Sequence, residues 1–226
     1  MLFMTTILIS GSDTGVGKTR VTAAIARLIA PAAGTVRIIK PVETGVADAG
    51  DGDAARAARE SGADRVTAHT LFSFPDPLAP LAAAQRAGER LSLERVAAAV
   101  EALPNGGARL IEGAGGLAVP LDGEGADWAD LGLRLRVGFV VLVVPDRLGA
   151  INQARLVWDY ARRRGLRAGI WLNEAVPEND IVREANRTGL EGCGLRPWAA
   201  QRWNEPLPEE PDVVRKNLLA VTGISG

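Results

Sequence analysis

Residues 11–19 read GSDTGVGKT and lie between an apolar segment, residues 6–10, and a segment with helical spacing, residues 17–30. A glycine-rich stretch that follows a strand, opens a helix and ends in Gly-Lys-Thr has the context of a phosphate-binding P-loop. Backbone N–H groups of such a loop and the positive end of the helix dipole converge on phosphate oxygens. The strict pattern has glycine where Ser12 stands, so an ordinary glycine-rich turn is the alternative interpretation. The stretch predicts nucleotide binding, with Lys18 on the β- and γ-phosphates and the Thr19 hydroxyl on Mg²⁺.

The rest of the chain alternates short apolar runs with longer segments of helical spacing, which predicts an α/β chain. Several of the runs are continuously apolar, as in parallel strands that are buried on both faces. We therefore expect a three-layer P-loop NTPase fold, with a mostly parallel sheet and helices on both faces. Strands are predicted at residues 6–10, 36–40, 109–112, 139–144 and 169–173, and helices at residues 17–30, 53–61, 93–103, 150–164, 179–188 and 213–220. No break in composition divides the chain, so residues 1–226 are predicted to form a single domain.

The composition excludes several classes of function. Among the 226 residues, 26 Lys and Arg balance 27 Asp and Glu, and the net charge of −1 argues against bulk nucleic-acid binding or a membrane-surface role. One cysteine, Cys193, and one histidine, His69, allow neither an internal disulfide nor a His/Cys zinc cage, and we interpret both as structural. With no export signal and no apolar run of roughly 18 residues, a cytoplasmic location is expected.

A second candidate site segment, RLIEGAGG at residues 109–116, is an apolar strand that ends in Glu112 and enters a glycine-rich loop. A carboxylate at the end of a strand next to the P-loop strand is the usual partner of the magnesium ion in such folds. A strand-end acid that faces solvent is the alternative. We predict that Glu112 belongs to the metal site.

A third segment, KPVETG at residues 40–45, is predicted to follow the end of another strand. Ligands of open α/β sheets bind beyond the carboxyl ends of the strands, so Lys40 and Thr44 are expected to face the same crevice as the P-loop. Lys40 there could hold a carboxylate, a carbamate or a transferring phosphoryl group, and an exposed lysine is the alternative. Asp53 begins a helix and could equally be an N-cap.

Two later positions are candidates for a nucleotide base. Asn173 ends the last long apolar strand, and Trp198 follows Pro197 after another short apolar step. An amide and an aromatic ring could border a purine, although Trp198 is equally plausible as core.

Taken together, these motifs resemble one family, the ATP-dependent dethiobiotin synthetases of the P-loop NTPase superfamily. Four blocks match in order, at residues 11–19, 40–45, 112–116 and 148–152, and the segments 171–173 and 197–198 resemble the family's later blocks. The resemblance extends from about residue 6 to about residue 205.

The resemblance implies a homodimeric ligase with its substrate site at the subunit interface. Its substrates would be 7,8-diaminononanoate, CO₂ and ATP, with Mg²⁺ as cofactor, and its products dethiobiotin, ADP and phosphate. The reaction would pass through a carbamate and a carbamic-phosphoric anhydride. No nucleic acid and no membrane is implied as a partner.

The resemblance also implies roles for individual residues. Lys18 and Lys40 would be catalytic, and Thr19, Asp53 and Glu112 would ligate the metal. Contacts to the nucleotide are implied for Gly15, Val16, Gly17, Lys18, Thr19, Arg20, Asp53, Glu112, Gly113, Ala114, Gly115, Asn173, Glu174, Pro197, Trp198 and Ala199. Contacts to the diamine substrate are implied for Thr14, Lys40, Thr44, Leu148, Gly149, Ile151 and Asn152, the last four in a loop that reaches the neighbouring subunit's substrate. For the proline-rich segment at residues 75–80, a role in shaping a substrate site is implied only by the family resemblance.

Two other functions compete with this interpretation. A partition-type ATPase switch of related fold carries a lysine five residues before the phosphate-binding lysine, where this chain has Asp13. An ATP-dependent amidoligase of the corrin-ring type generally has a glutaminase domain with a nucleophilic cysteine and a histidine, for which this chain has no room. An ammonia-using amidoligase without that domain stays open as an alternative.

Overall fold

The centre of the protein, in a computed structural model that describes residues 5–46 and 52–224, is a sheet of seven strands. The strands are β1 Thr5–Gly11, β2 Val36–Thr44, β3 Val66–Phe74, β4 Ala108–Glu112, β5 Phe139–Pro145, β6 Ala168–Asn173 and β7 Ala199–Gln201. Their order is β3-β2-β4-β1-β5-β6-β7, and every neighbouring pair is parallel. All seven carboxyl ends therefore lie along one edge of the sheet.

Helices cover both faces of the sheet. The helices α1 Lys18–Ala33, α2 Asp53–Ser61 and α8 Pro211–Thr222 enclose one apolar core. The second core lies under α3 Pro80–Arg86, α4 Leu93–Glu101, α5 Trp128–Arg134, α6 Ala150–Arg163 and α7 Asp180–Gly192. Strand β1 serves both cores, since Ile7 and Ile9 face the first and Leu8 faces the second. This explains the unbroken apolar runs and confirms the predicted three-layer α/β fold.

The structure adds four elements that the sequence patterns did not predict: β3, β7, α3 and α5. Strand β3 lies at the edge of the sheet and is only partly buried, so its sequence mixes polar and apolar residues. Strand β7 has three residues and α3 and α5 have seven each, which is too short to show a clear period. Helix α1 also continues through Pro31, beyond the predicted end at residue 30.

Strand β2 corrects the prediction that it ends at residue 40. It runs to Thr44 because β3 pairs with it as far as Thr44 and Phe74, whereas its pairing with β4 stops at Ile39. Pro41, which has no N–H group to donate, follows the end of the β4 pairing. Lys40 thus lies inside a strand, one residue past the last pair between β2 and β4 and level with Glu112 at the end of β4.

None of the helices in residues 5–46 and 52–224 is long and apolar enough to span a membrane. The last helix, α8, packs onto the core, because Val214 and Leu218 on its inner face are buried against the sheet and α1.

Candidate active site

The P-loop joins β1 to α1 at the centre of the carboxyl edge, and its shape depends on Gly17. Gly17 has a φ of 87° and precedes α1 as its N-cap. A Cβ atom at this position would lie 2.1 Å from the Asn173 side-chain nitrogen, which donates a hydrogen bond of 2.8 Å to the carbonyl of Val16. Only glycine combines this left-handed conformation with so close an approach. The first N–H groups of α1, which have no partner within the helix, are thereby presented at the sheet edge.

Lys18 bends back over this loop. The residue is buried, and its Nζ donates a hydrogen bond of 2.9 Å to the carbonyl of Asp13. Burial disfavours the charged amine, and the nearby Lys40 ammonium adds repulsion, so the pKa of Lys18 is lowered to about 8 although Glu112 and Asp53 oppose the change. An anionic ligand at the loop would favour the protonated form.

Lys40 is the centre of a buried cluster of charges, and only 2% of the residue is exposed. Its Nζ lies 2.7 Å from Asp53 Oδ2 and 3.0 Å from Glu112 Oε1. Burial alone would lower the pKa of Lys40, but the carboxylates of Glu112, Asp53 and Glu43 outweigh burial and hold this pKa above its ordinary value. Lys40 is therefore a fixed cation, not the exposed lysine of the alternative interpretation.

Glu112 connects this cluster to the P-loop helix. The residue is fully buried at the end of β4. Its Oε1 accepts a hydrogen bond of 2.9 Å from the Thr19 hydroxyl, and its Oε2 accepts one of 2.8 Å from the Thr22 hydroxyl. Hydroxyl donors and an ammonium are the partners that a buried carboxylate needs to remain stable. Glu112 is thus not an acid that faces solvent.

Asp53 and Glu43 complete the cluster. Asp53 begins α2, and its backbone N–H donates a hydrogen bond of 2.7 Å to Glu43 Oε2. Burial would raise the pKa of Asp53, but Lys40 and Arg56 lower it below its usual value. Burial raises the pKa of Glu43. Glu43 stands within the segment 40–45, yet sequence reasoning gave it no role.

The oxygen atoms of this cluster suit a magnesium ion. The Thr19 hydroxyl and the carboxylates of Asp53 and Glu112 meet beside the P-loop, and oxygen is the donor that Mg²⁺ prefers. Within residues 5–46 and 52–224, no three His, Cys, Asp or Glu side chains gather into a metal site of their own. In sites of the P-loop type, phosphate oxygens and waters supply the remaining magnesium ligands.

A cavity of about 780 Å³ opens over the P-loop and the charge cluster. Of the residues predicted for the site, the cavity is lined by Thr14, Gly15, Gly17, Lys18, Thr19, Arg20, Lys40, Thr44, Asp53, Glu112, Ala114 and Gly115. Residues 77–80 line it too, within the proline-rich segment that was predicted to shape a substrate site. The volume is of the size that small-molecule ligands occupy.

Five lining residues had no predicted role: Glu43, Arg56, Glu60, Val119 and Trp203. Arg56 could have been found from its spacing, because it follows Asp53 by three residues on one helix and so shares its face. Trp203 had no such signal. Its position depends on a hydrogen bond of 2.8 Å from its backbone N–H to Glu174 Oε2, which joins residues far apart in the chain.

Several predicted contacts lie elsewhere. The side chains of Asn173 and Glu174 are buried and hold other parts of the chain, Asn173 the P-loop and Glu174 the backbone N–H groups of Glu178 and Trp203. Val16 is buried in the core. The carbonyl of Gly113 lies 3.4 Å from Lys40 Nζ, and its Cα faces the Trp128 ring.

Pro197, Trp198 and Ala199 are not brought to the cavity. They lie at the amino end of β7, where the Trp198 N–H donates to the carbonyl of Ile170 and the indole packs on the Phe139 ring at 5.0 Å. The cavity lies at the carboxyl edge, so residues of the loop after β7, such as Trp203, line it instead.

The predicted loop at residues 148–152 lies on the same sheet edge, between β5 and α6, but does not line the cavity. Leu148 is 82% exposed, and Gly149 has the left-handed conformation of a helix N-cap. Ile151 packs against Gly189 of α7 within the same chain. The loop therefore offers an exposed apolar residue next to a helix N-terminus.

Comparisons with known proteins give a consistent result. A family model described as an AAA domain matches residues 5–203. The ATP-dependent dethiobiotin synthetase BioD of Frankia casuarinae is 39% identical over 199 residues, which cover 87% of this chain and 82% of that protein. The protein of the same name from Mycobacteroides abscessus is 40% identical over 190 residues, which cover 83% of this chain and 81% of that protein.

Proteins of much lower sequence identity share this fold. The solved MinC:MinD cell division protein complex of Aquifex aeolicus contains a chain that matches with a TM-score of 0.56 and 12% identity, covering 98% of this chain and 97% of that chain. At this identity the likeness concerns the fold alone.

Proposed function

Because the chain belongs to the ATP-dependent dethiobiotin synthetase family, and is thereby an ATP-dependent ligase of biotin biosynthesis, we propose that it closes the cyclic urea of dethiobiotin. The substrates are 7,8-diaminononanoate, CO₂ and ATP, and the products are dethiobiotin, ADP and phosphate. The reaction takes place in the cavity over the P-loop.

One observation carries the proposal: a buried, permanently charged Lys40 lies beside the P-loop in the same cavity. An ammonium fixed by two carboxylates at 2.7 and 3.0 Å costs little reorganisation when negative charge develops next to it. Lys40 is proposed to stabilise the carbamate and the oxygen that receives the phosphoryl group.

The nucleotide is proposed to bind along the P-loop. Residues 14–17 give backbone N–H groups to the phosphates, and Lys18 contacts the β- and γ-phosphates. Thr19, Asp53 and Glu112 would hold a magnesium ion, which supplies neutralisation of the phosphate charge. Ala114 and Gly115 border the same space, and Arg20 ties its wall together by hydrogen bonds to the carbonyls of Glu174 and Glu205 at 2.9 and 2.8 Å.

The proposed reaction balances without a protein nucleophile. One amine of the substrate adds to CO₂ and loses a proton, which gives a carbamate. A carbamate oxygen takes the γ-phosphoryl group as the bond to ADP breaks. The second amine then attacks the carbonyl carbon, phosphate leaves with its oxygen, and a proton is released. Positioning and charge neutralisation, which Lys18, Lys40 and the N–H groups of the loop offer, are what such transfers require.

The diamine is proposed to lie between Thr14, Thr44 and residues 77–80, next to Lys40. We further propose a homodimer in which the exposed loop at Leu148, Gly149, Ile151 and Asn152 reaches the partner's substrate. N–H groups at the start of α6 suit a substrate carboxylate. We also propose that residues 1–226 form one domain of a cytoplasmic enzyme with no nucleic-acid or membrane partner.

The rival functions have less support. This chain lacks the signature lysine of the partition-type switch and has Asp13 at that position. Helix α8 buries its apolar face against α1 and the sheet and so does not offer that face to a membrane. An amidoligase with its own glutaminase activity would need a nucleophilic cysteine and a histidine. In this chain Cys193 is exposed, and neither Cys193 nor His69 lines the P-loop cavity.

The test separates ATP binding from turnover with two substitutions. ADP release is measured in bicarbonate with and without diaminononanoate, and ATP binding is measured by calorimetry. Lys40→Gln is expected to keep ATP affinity within about threefold and to lower diamine-dependent turnover by roughly 10²–10³, as for the loss of one fixed charge partner. Lys18→Gln is expected to lose ATP affinity itself. Equal loss of ATP affinity in both variants would contradict the proposed roles.

A further inference from the structure

Arg56 lies in the cavity beside the oxygen atoms that we propose for magnesium. It follows Asp53 by one turn of α2, and its Nη2 lies 2.5 Å from Asp53 Oδ1 and 3.5 Å from the Thr19 hydroxyl. The Arg56 side chain is 51% exposed, whereas that of Lys40, on the other oxygen of Asp53, is 3% exposed. Of the two cations on Asp53, Arg56 is the one with room to move.

The contacts of Arg56 conflict with a metal ion at the same place. A divalent ion on Asp53 and Thr19 would stand within a few ångströms of the guanidinium, and two cations at that distance repel each other. The guanidinium would therefore have to leave Asp53 Oδ1. The same cavity is lined by Gly15, Gly17 and Lys18 of the P-loop, where polyphosphate oxygens would lie. A planar guanidinium binds phosphate through two parallel N–H groups, so these oxygens are suitable new partners for it.

We propose that Arg56 and magnesium compete for Asp53, and that Arg56 transfers to the phosphate oxygens of the nucleotide when the metal binds. This inference rests on the proposed metal and nucleotide site, but not on the identity of the amine substrate. It makes Arg56 a positioning residue that couples metal binding to nucleotide binding. Metal alone binds weakly, because it must displace Arg56 without offering the guanidinium a new partner.

Two opposite effects follow from the removal of the guanidinium. Competition for Asp53 disappears, so the affinity for metal alone rises. One contact to the phosphates also disappears, so the affinity for nucleotide in the presence of metal falls. Simple damage to the site would weaken both affinities, which makes the opposite signs diagnostic.

The experiment titrates Mn²⁺ into the full-length protein without nucleotide, and then titrates ATP in the presence of saturating Mn²⁺. Arg56→Gln is expected to bind Mn²⁺ about fivefold more tightly and ATP about fivefold more weakly, the size of a partly exposed ion pair. Arg56→Lys keeps the charge and is expected to restore weak Mn²⁺ binding, with only part of the ATP affinity.

Arg59→Gln is the matched control, because it removes the same charge from the same helix at a residue that does not line the cavity. Unchanged Mn²⁺ affinity in Arg56→Gln, or an equal rise in Arg59→Gln, would overturn the competition. Asp53→Asn, measured in the same series, tests the proposed metal site separately from the competition between Arg56 and the metal. If it leaves Mn²⁺ affinity unchanged, the metal assignment itself fails, and the competition fails with it.

Discussion

At the scale of single residues, the cavity contains two buried lysines whose pKa values move in opposite directions. Burial and the neighbouring Lys40 lower the pKa of Lys18 to about 8. Three carboxylates overcome burial at Lys40 and hold its pKa above the ordinary value. Lys40 therefore keeps its charge throughout the working range, while Lys18 loses part of its charge just above neutral pH.

Lys18 predicts a proton uptake on nucleotide binding. At pH 8.5 a large part of the amine is neutral, and phosphates at the loop favour the ammonium, so binding should take up a fraction of a proton. ATP affinity should then fall as the pH rises above about 8. Calorimetric titrations at pH 8.5 in two buffers of different ionisation enthalpy measure the uptake. Equal binding heats in both buffers would contradict a lowered pKa of Lys18.

The lowered pKa of Lys18 also makes the stability of the fold depend on pH. An amine whose pKa is lower in the folded protein than in the unfolded chain binds fewer protons when folded, so this contribution to stability increases as the pH rises from about 8 to about 10.5. It is lost as the pH falls through about 8. At neutral pH the buried charge of Lys18 is thus a cost that the fold retains for ligand binding.

The sequence predicted the position of a site residue where the order of the strands alone determines that position. Lys18 follows β1 and Glu112 ends β4, and these two strands are neighbours in the sheet. Their positions at the carboxyl edge therefore follow from the fold class. For Asn173 and Glu174, the partners of the side chains decide the matter. Their hydrogen bonds to Val16 and to the N–H of Trp203 join distant parts of the chain, and local sequence carries no record of such contacts.

At the scale of elements, the N-terminus of α2 is capped by a side chain from strand β2. Its N-cap is Gly52, which has no side chain to bond the first N–H groups. Glu43, on β2, supplies the acceptor for the Asp53 N–H at 2.7 Å. The strand that carries Lys40 thus also fixes the carboxylate to which Lys40 is paired.

Glu43→Ala should therefore weaken both the helix and the site. We expect a loss of about 1 kcal/mol in the free energy of unfolding, the usual value of a lost N-terminal cap, together with weaker Mn²⁺ binding through a less ordered Asp53. Urea unfolding and a Mn²⁺ titration measure the two effects. Glu43→Gln keeps an oxygen acceptor and should lose much less of both. Identical behaviour of the two variants would argue that the cap has no influence on Asp53.

The sequence predicted the strands that are buried on both faces better than it predicted the strand at the edge of the sheet. Strands β1, β5 and β6 are continuously apolar because helices cover both of their faces, and their positions were predicted within two residues at each end. Strand β3 lies at the edge and exposes part of its surface, so its pattern is mixed. The end of β2 depended on β3, and could not be placed without it.

At the scale of the whole molecule, two leucines, one just before α6 and one on it, are largely exposed. Leu148 is 82% exposed before α6, and Leu156, on α6, is 65% exposed next to a second cavity behind the P-loop. Burial of large apolar side chains is the main source of free energy in homodimer interfaces. We propose that the partner subunit covers these two leucines.

Leu156→Glu should break the dimer. A buried, unpaired carboxylate in an apolar interface is costly, so the molar mass in solution should fall to that of one 23.7 kDa chain. Diamine-dependent turnover should fall with it, since the substrate site is proposed to span both subunits. Light scattering after size exclusion measures the mass. Ile181→Asp, at a 74% exposed position on α7, is the control, and loss of the dimer there but not in Leu156→Glu would place the interface elsewhere.

We propose that ATP-dependent carboxylation and ring closure take place in the cavity between the P-loop and Lys40. The most direct measurement supplies ATP, Mg²⁺, diaminononanoate and isotopically labelled bicarbonate, and follows the label and the ADP together. The expected result is dethiobiotin with the label in its urea carbon and one ADP released for each molecule formed. ATP hydrolysis that proceeds equally without the diamine, with no labelled product, would contradict it.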